Sequence, residues 1–175
     1  MKNAIRMFVL AAAAVALTGS SAFAQATIHG DLLKDWASQK DMLVKISNAM
    51  PEDKFGFKAT PPERSYAEQI LHIAQVNVGL LGSLGGKAAR PATDMKATKK
   101  ADVVKAMSDS FDYGTKVINE FNNTTIQETV QAPFMGPSTR ARVMFFLNSH
   151  TQDIYGQMVV YLRLNGGVPP ASAKP

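Results

Sequence analysis

The stretch TRARVMFFLNSHTQDIYGQMVVYLRLN, residues 139–165, is the last long amphipathic segment of the chain and decides the fold. Plotted at 100° per residue from Val143, six of its side chains fall within about 60° of one direction. These six are Val143, Leu147, His150, Ile154, Met158 and Tyr161. The pattern predicts a helix about 39 Å long, with a histidine in the middle of its apolar stripe.

The sequence also predicts where this helix begins and ends. Ser138 or Thr139, directly after Pro137, supplies a side-chain oxygen that can cap the first turn. Gly166-Gly167 ends the helix, and two prolines just beyond prevent its continuation.

Three more amphipathic segments precede it, at about residues 30–50, 65–84 and 99–122. The first contains Trp36, the single tryptophan, as a core anchor. The second opens with Ser65-Tyr66-Ala67-Glu68, which fits the S-x-x-E capping box. Pro61 and Pro62 exclude a continuous helix over the connection before it. We expect a polar connection at residues 124–136, with a short extended piece at 126–130.

Four long amphipathic helices in one domain predict an all-α four-helix bundle. Two of the glycines inside the predicted helices bear on packing. Gly114 weakens the third helix by about 1 kcal/mol relative to alanine. Gly79 lies on the same strip of the second helix as His72, where we expect a neighbouring backbone to come close.

Residues 1–24 have the pattern of a cleavable signal peptide. Lys2 and Arg6 flank the start of an apolar run over residues 7–17, and Ala22-Phe23-Ala24 is an A-x-A cleavage signal. The run is too short for a comfortable membrane span, although a retained N-terminal anchor is the alternative. Cleavage before Gln25 leaves a domain of residues 25–175, which we expect to be periplasmic or secreted, without a stable membrane anchor.

Composition narrows the function classes. The chain has no cysteine, which excludes disulfides, thiolate nucleophiles and iron–sulfur ligation. Its formal net charge is +5, and loss of Lys2 and Arg6 with the leader lowers it to +3. That charge is ordinary for a soluble domain. The lysines at 96, 99, 100 and 105 are interpreted as a solvated helix start, so no nucleic-acid partner is expected.

Two histidines on two different helices, His72 and His150, admit two interpretations. Imidazole suits zinc, nickel, copper or iron, and bundle cores commonly assemble such ligands. A histidine in a helical stripe is also commonly a core residue whose nitrogens bond to a carbonyl or a hydroxyl. Periodicity alone favours the second interpretation.

Local motifs of the sequence resemble those of the DinB family. Residues 64–74, RSYAEQILHIA, resemble its second helix, and Thr139-Arg140 resembles the opening of its last helix. Residues 155–163, YGQMVVYLR, followed by Asn165-Gly166 and the segment 168–170, resemble the end of the fourth helix and its tail. The resemblance covers essentially the whole mature chain in element order.

The resemblance implies an up-down-down-up four-helix bundle that is often dimeric. We therefore expect a homodimer. The methionines at 42, 107, 144 and 158 favour the same assembly if they lie on its interface, whereas the alternative is that they only fill the bundle core. The family resemblance also implies a divalent metal held by one histidine of the second helix and an H-x-x-x-H pair of the fourth. Some members are cytoplasmic thiol-dependent transferases or isomerases, and many have no assigned activity.

The sequence departs from this pattern at one ligand. His72 matches the second-helix ligand and His150 matches the first histidine of the pair, but the second position is Ile154. Tyr155 also stands where an arginine often follows the pair. Because structural and catalytic zinc sites normally take three or four protein ligands, we expect zinc or nickel to bind weakly or not at all.

Two carboxylates are possible additional ligands. Asp153 lies one turn after His150, and Glu68 lies one turn before His72. The competing interpretation, which we favour, commits Glu68 to its capping box and leaves Asp153 facing solvent or paired with a cation.

Two functions therefore remain open. One is an exported, non-enzymatic binding or structural protein with a degenerate metal site and an unidentified small-molecule ligand. The other is a metal-dependent enzyme of hydrolase or transferase type, with a site rebuilt from His72, His150 and Asp153. The first is favoured, because export removes the protein from cytoplasmic thiols and no motif indicates a different enzyme.

Overall fold

The computed structural model describes residues 26–173. Within them the chain forms four α-helices and one β-hairpin. The helices are α1 (Ile28–Ala49), α2 (Tyr66–Leu81), α3 (Lys100–Asn119) and α4 (Arg140–Leu164), and the hairpin strands are β1 (Thr129–Ala132) and β2 (Gly136–Thr139). The predicted all-α four-helix bundle is confirmed. The predicted leader lies outside the described residues.

Contacts at the helix ends set the direction of α2 and α3. The Tyr66 hydroxyl donates a hydrogen bond of 2.9 Å to the Ile46 carbonyl. The Lys100 ammonium donates to the carbonyls of Asn48 and Met50, at 2.9 and 2.8 Å. Both α2 and α3 therefore start where α1 ends, and both run antiparallel to α1.

The direction of α4 follows from two further contacts. The Tyr161 hydroxyl donates to the Arg64 carbonyl at 2.7 Å, so α4 ends where α2 begins. At the other end the Arg140 guanidinium donates to the Leu84 carbonyl at 2.8 Å. Helix α4 is thus parallel to α1, which gives the up-down-down-up order.

Local capping signals mark the starts of α2 and α4 and the end of α4 as the sequence predicts. The Ser65–Glu68 capping box is present in both directions, with Glu68 accepting from the Ser65 N–H at 2.6 Å. Thr139, rather than Ser138, caps α4 by accepting from the Arg142 N–H at 3.1 Å. Gly166 adopts φ 75° after the last turn of α4, a conformation that glycine takes without strain.

Trp36 anchors the contact between α1 and α3 in the core. Trp36 is buried and donates from its indole N–H to the Phe111 carbonyl at 2.8 Å. The centroids of the Trp36 and Phe111 rings lie 4.5 Å apart. A Cβ on Gly114 would lie 2.4 Å from the Trp36 ring. The glycine that weakens α3 locally is therefore the residue that admits the tryptophan.

The β-hairpin was only partly predicted. The extended piece expected at residues 126–130 begins instead at Thr129, because residues 125–127 form a 3₁₀ turn. Its partner strand occupies residues 136–139, where only a helix cap was expected. The chain reverses at Phe134, which has φ 52°, while the Met135 N–H donates to the Pro133 carbonyl at 2.6 Å. This is a γ-turn with a bulky residue at its centre, a strained arrangement.

The expectation for Gly79 was wrong. A Cβ at this position would meet no atom within 4 Å, because the residue lies on an exposed part of α2. The part of the chain that the structure describes contains no helix with the length and apolarity needed to cross a membrane.

Candidate histidine site between α2 and α4

His72 and His150 meet across the interface of α2 and α4. Their Nε2 atoms lie 3.1 Å apart and their ring centroids 5.0 Å apart. Both side chains are half-buried. A hydrogen bond between two imidazole nitrogens requires a hydrogen on one and a lone pair on the other, so this contact holds while at least one of the rings is neutral.

The surroundings favour the neutral form of both rings. Burial is the main cause that lowers the pKa of His72, and the positive charge of Arg64 lowers it further. Burial is also the main cause that lowers the pKa of His150. The Asp153 carboxylate raises this pKa, and the positive charge of Arg64 lowers it. The pair is therefore uncharged at neutral pH.

Aromatic rings cover one side of His150. The Phe146 ring stacks on the imidazole with centroids 6.2 Å apart and planes at 19°. Phe134, from the hairpin turn, meets Phe146 edge to face at 5.5 Å. The Nδ1 atom of His150 is buried and has no hydrogen-bond partner among residues 26–173.

Ile154 occupies the position where the family resemblance places a third nitrogen ligand. It lies one turn after His150, is 3% exposed and belongs to the core of the bundle. Across residues 26–173, no group of three or more histidine, aspartate or glutamate side chains is arranged to hold a metal ion.

Glu68 is engaged elsewhere. Its carboxylate accepts the Ser65 N–H in the capping box and lies 3.7 Å from the Lys58 ammonium. The hydrogen bonds from Ser65 are the main cause that lowers the pKa of Glu68.

Asp153 is also engaged in a local contact. It accepts a hydrogen bond of 3.0 Å from the Gln157 side chain, whose oxygen in turn accepts from Gln69 at 2.7 Å. Gln69 is buried, so this chain of three polar side chains joins α4 to the interior of α2. The carboxylate of Asp153 is exposed and acts on His150 only through its charge.

The histidine pair meets one requirement of a metal site and lacks others. Two nitrogens bound to one tetrahedral zinc lie about 3.3 Å apart, close to the 3.1 Å observed here. However, only two nitrogens converge, and a metal-bound histidine normally donates its other N–H to a carboxylate or a carbonyl. The Nδ1 of His150 has no such partner in the described chain. The residues present therefore do not fit a tightly held zinc or nickel ion.

Sequence reasoning located the two histidines but not the residues that surround them. Arg64, Gln69 and Gln157 all lie inside the motifs that resemble the DinB family, yet their contacts depend on how α2 and α4 pack. The third histidine, His29, lies elsewhere, with its Nε2 3.0 Å from the Ile118 carbonyl. It joins the start of α1 to the end of α3.

The comparisons with known proteins agree with this architecture. The DinB superfamily profile matches residues 36–158. Among the solved structures that resemble the chain is a DinB-like protein from Bacillus cereus ATCC 10987. It is 16% identical, with a TM-score of 0.71, over 79% of this chain and 93% of that one. At this identity the likeness shows the fold alone.

No curated protein matches the sequence. The superfamily profile covers more than half of the chain, including both histidines and the isoleucine beside them. The protein belongs to the DinB superfamily.

Proposed function

We propose that this protein is an exported, non-enzymatic binding or structural member of the DinB superfamily, whose divalent-metal site has degenerated. A direct hydrogen bond between His72 and His150 takes the place of a shared metal ion. The pair joins α2 to α4, and its His72 lines an open cavity where a ligand can reach it.

The burial of Ile154 carries this proposal. An isoleucine offers no lone pair, and its side chain is packed into the core rather than displaced from it. The two carboxylates nearest the pair have other hydrogen-bond partners, Ser65 for Glu68 and Gln157 for Asp153. A third ligand would have to break one of these contacts.

Metal analysis of the mature protein, purified without an affinity tag, tests the proposal. We expect much less than one equivalent of zinc or nickel per chain, and a melting temperature that barely changes when zinc replaces chelator. A strong zinc shift in the wild type that His150→Ala abolishes would contradict the proposal. It would favour instead a metal-dependent enzyme with Asp153 as a third ligand.

The export part of the proposal is supported by the leader pattern of residues 1–24. We expect signal peptidase to cleave after Ala24, so that the mature chain begins at Gln25. Intact-mass measurement of material from the periplasm or the culture medium checks this. Recovery of the protein with the leader still attached would contradict it.

A further inference from the structure

Arg64 is a charged residue of this site whose charge is not neutralised. Its guanidinium has no ion pair and no hydrogen bond with any residue between 26 and 173, and its side chain is exposed. Its backbone, in contrast, is fixed by the hydrogen bond from the buried Tyr161 to its carbonyl. The structure thus places an unpaired positive charge on a fixed stretch of backbone.

Arg64 and His72 line the same cavity. The cavity is open to solvent and has a volume of about 390 Å³, within the range of small-molecule sites. Met95, which is 38% exposed, and Pro62 contribute apolar surface to its wall. Gln75 contributes a polar side chain. The cavity therefore offers one unpaired guanidinium, a small apolar surface and an imidazole.

Within residues 26–173, no carboxylate of the lining forms an ion pair with Arg64. Lys58 and Glu68 lie 3.7 Å apart and pair with each other. Glu63 also lines the cavity, so the four charged residues of the lining carry no net charge. Its carboxylate forms no ion pair with Arg64 among the described residues, so the guanidinium is left available to an added anion.

The backbone at the start of α2 cannot hold an anion here. The N–H of Tyr66 donates to the Phe57 carbonyl at 3.0 Å, and that of Ala67 to the Phe55 carbonyl at 2.9 Å. The N–H of Glu68 donates to the Ser65 hydroxyl. Binding of an anion must therefore come from side chains, and a guanidinium binds a carboxylate through two parallel hydrogen bonds.

We propose that this cavity binds a compact organic carboxylate, with Arg64 pairing with the carboxylate and Met95 and Pro62 contacting the apolar body beside His72. This inference rests on the proposed function, because it gives the binding protein a class of ligand.

Three probes separate the contributions to binding. Phenylacetate carries a carboxylate and an apolar ring, 2-phenylethylamine carries a similar body with the opposite charge, and acetate carries the charged group alone. Titrations of chelator-treated mature protein are followed by NMR of the histidine ring signals. We expect phenylacetate to shift the His72 signal while His29, in the first turn of α1 and outside the cavity lining, serves as an internal reference. We expect the other two probes to bind at least tenfold more weakly.

Arg64→Gln should weaken phenylacetate binding at least tenfold, because it removes the charge while leaving the anchored carbonyl in place. Arg163→Gln is the matched control, since Arg163 is an exposed arginine of α4 that does not line the cavity. Circular dichroism verifies that both variants fold. Equal binding of 2-phenylethylamine, or unchanged phenylacetate binding in Arg64→Gln, would overturn the inference.

The metal measurements are separate from this test. If phenylacetate does not bind but the wild type still lacks tightly held metal, the ligand class is wrong and the degenerate-site proposal stands. If the wild type binds zinc tightly, the proposed function itself is wrong.

Discussion

At the scale of single residues, an isoleucine stands at position 154, where the family resemblance places a third metal ligand. Its side chain contributes to the core, whereas an imidazole at the same place could point at the space that His72 and His150 share. Helical geometry places residue 154 about 40° around the stripe from His150, one turn further along. A single substitution at position 154 would therefore replace an apolar core contact with a third imidazole beside the pair.

We predict that Ile154→His creates a tight zinc site at a cost in stability. Loss of the buried isoleucine and burial of a polar ring should lower the free energy of unfolding by about 3 kcal/mol in chelator. Zinc at a hundred times its Kd should return about 2.7 kcal/mol. Thermal melts with chelator and with zinc measure both effects.

Ile154→Gln is the control, because it introduces a polar side chain without an imidazole. It should be destabilised to a similar degree and gain nothing from zinc. Failure of Ile154→His to respond to zinc would mean that its imidazole does not join the pair.

Acid should lower the free energy of unfolding partly through the histidine pair. A histidine in the unfolded chain titrates near pH 6.5, and both folded pKa values lie below that. Between the folded and unfolded values the unfolded state binds more protons, so the free energy of unfolding falls as the pH falls through this window. The contribution of the neutral pair is fully present above pH 6.5.

Urea denaturation at a series of pH values between about 7.5 and 5 tests this. The double variant His72→Gln, His150→Gln should lose less stability across that window than the wild type does. Equal slopes in the two proteins would show that the pair does not carry the linkage.

Residue-level predictions succeeded where the interaction is local. Ser65 and Glu68 are three residues apart, so their capping box can be read from the sequence. The contact of His72 with His150 joins residues 78 positions apart, and it was expected only through the family resemblance. The absence of an ion pair at Arg64 among the described residues was not predictable, because it depends on which side chains tertiary packing leaves without a partner.

At the scale of elements, Gly114 shows how tertiary packing reverses a local propensity. In an isolated helix, alanine would be favoured over glycine by about 1 kcal/mol. In α3 the glycine leaves the space that the Trp36 ring fills, and a Cβ would meet the ring at 2.4 Å. Steric overlap, rather than backbone entropy, should decide the effect of a substitution.

We predict that Gly114→Ala lowers the free energy of unfolding by about 1–3 kcal/mol, the usual cost of an overpacked core. Gly156→Ala in α4 is the matched control, because a Cβ there meets no atom within 4 Å. It should raise stability by up to about 1 kcal/mol. Chemical denaturation of the two variants measures both changes. Stabilisation by Gly114→Ala would contradict the packing described for Trp36.

The four helices were predictable because each repeats its apolar side chains over several turns. The hairpin was predictable only in part, because its strands are four residues long and carry no usable alternation. Its pairing, with Val130 opposite Ser138, depends on a turn centred on Phe134. A phenylalanine is not a residue that signals a turn with positive φ.

At the scale of the whole molecule, the remaining prediction concerns assembly. Met107, Met144 and Met158 are fully buried, so these methionines fill the core of one bundle. The homodimer expectation therefore rests on the family resemblance. The exposed residues Val160 and Leu164, one turn apart on α4, are candidates for the interface.

Light scattering coupled to size exclusion measures the assembly at micromolar concentration. We predict a single species of about twice the monomer mass, which the double variant Val160→Glu, Leu164→Glu converts to monomer by placing charge in an apolar contact. Elution of the wild type at the monomer mass would refute the dimer.

The parallel orientation of α1 and α4 limits how this chain can be circularly permuted. The start of α1 and the end of α4 lie at opposite ends of the bundle, separated by about 33 Å for a helix of 22 residues. A circular permutant that joins them needs a linker of at least about 10 extended residues. Shorter linkers would have to pull one of the two helices out of register, whereas a partner fused after α4 would project from the end of the bundle opposite the start of α1.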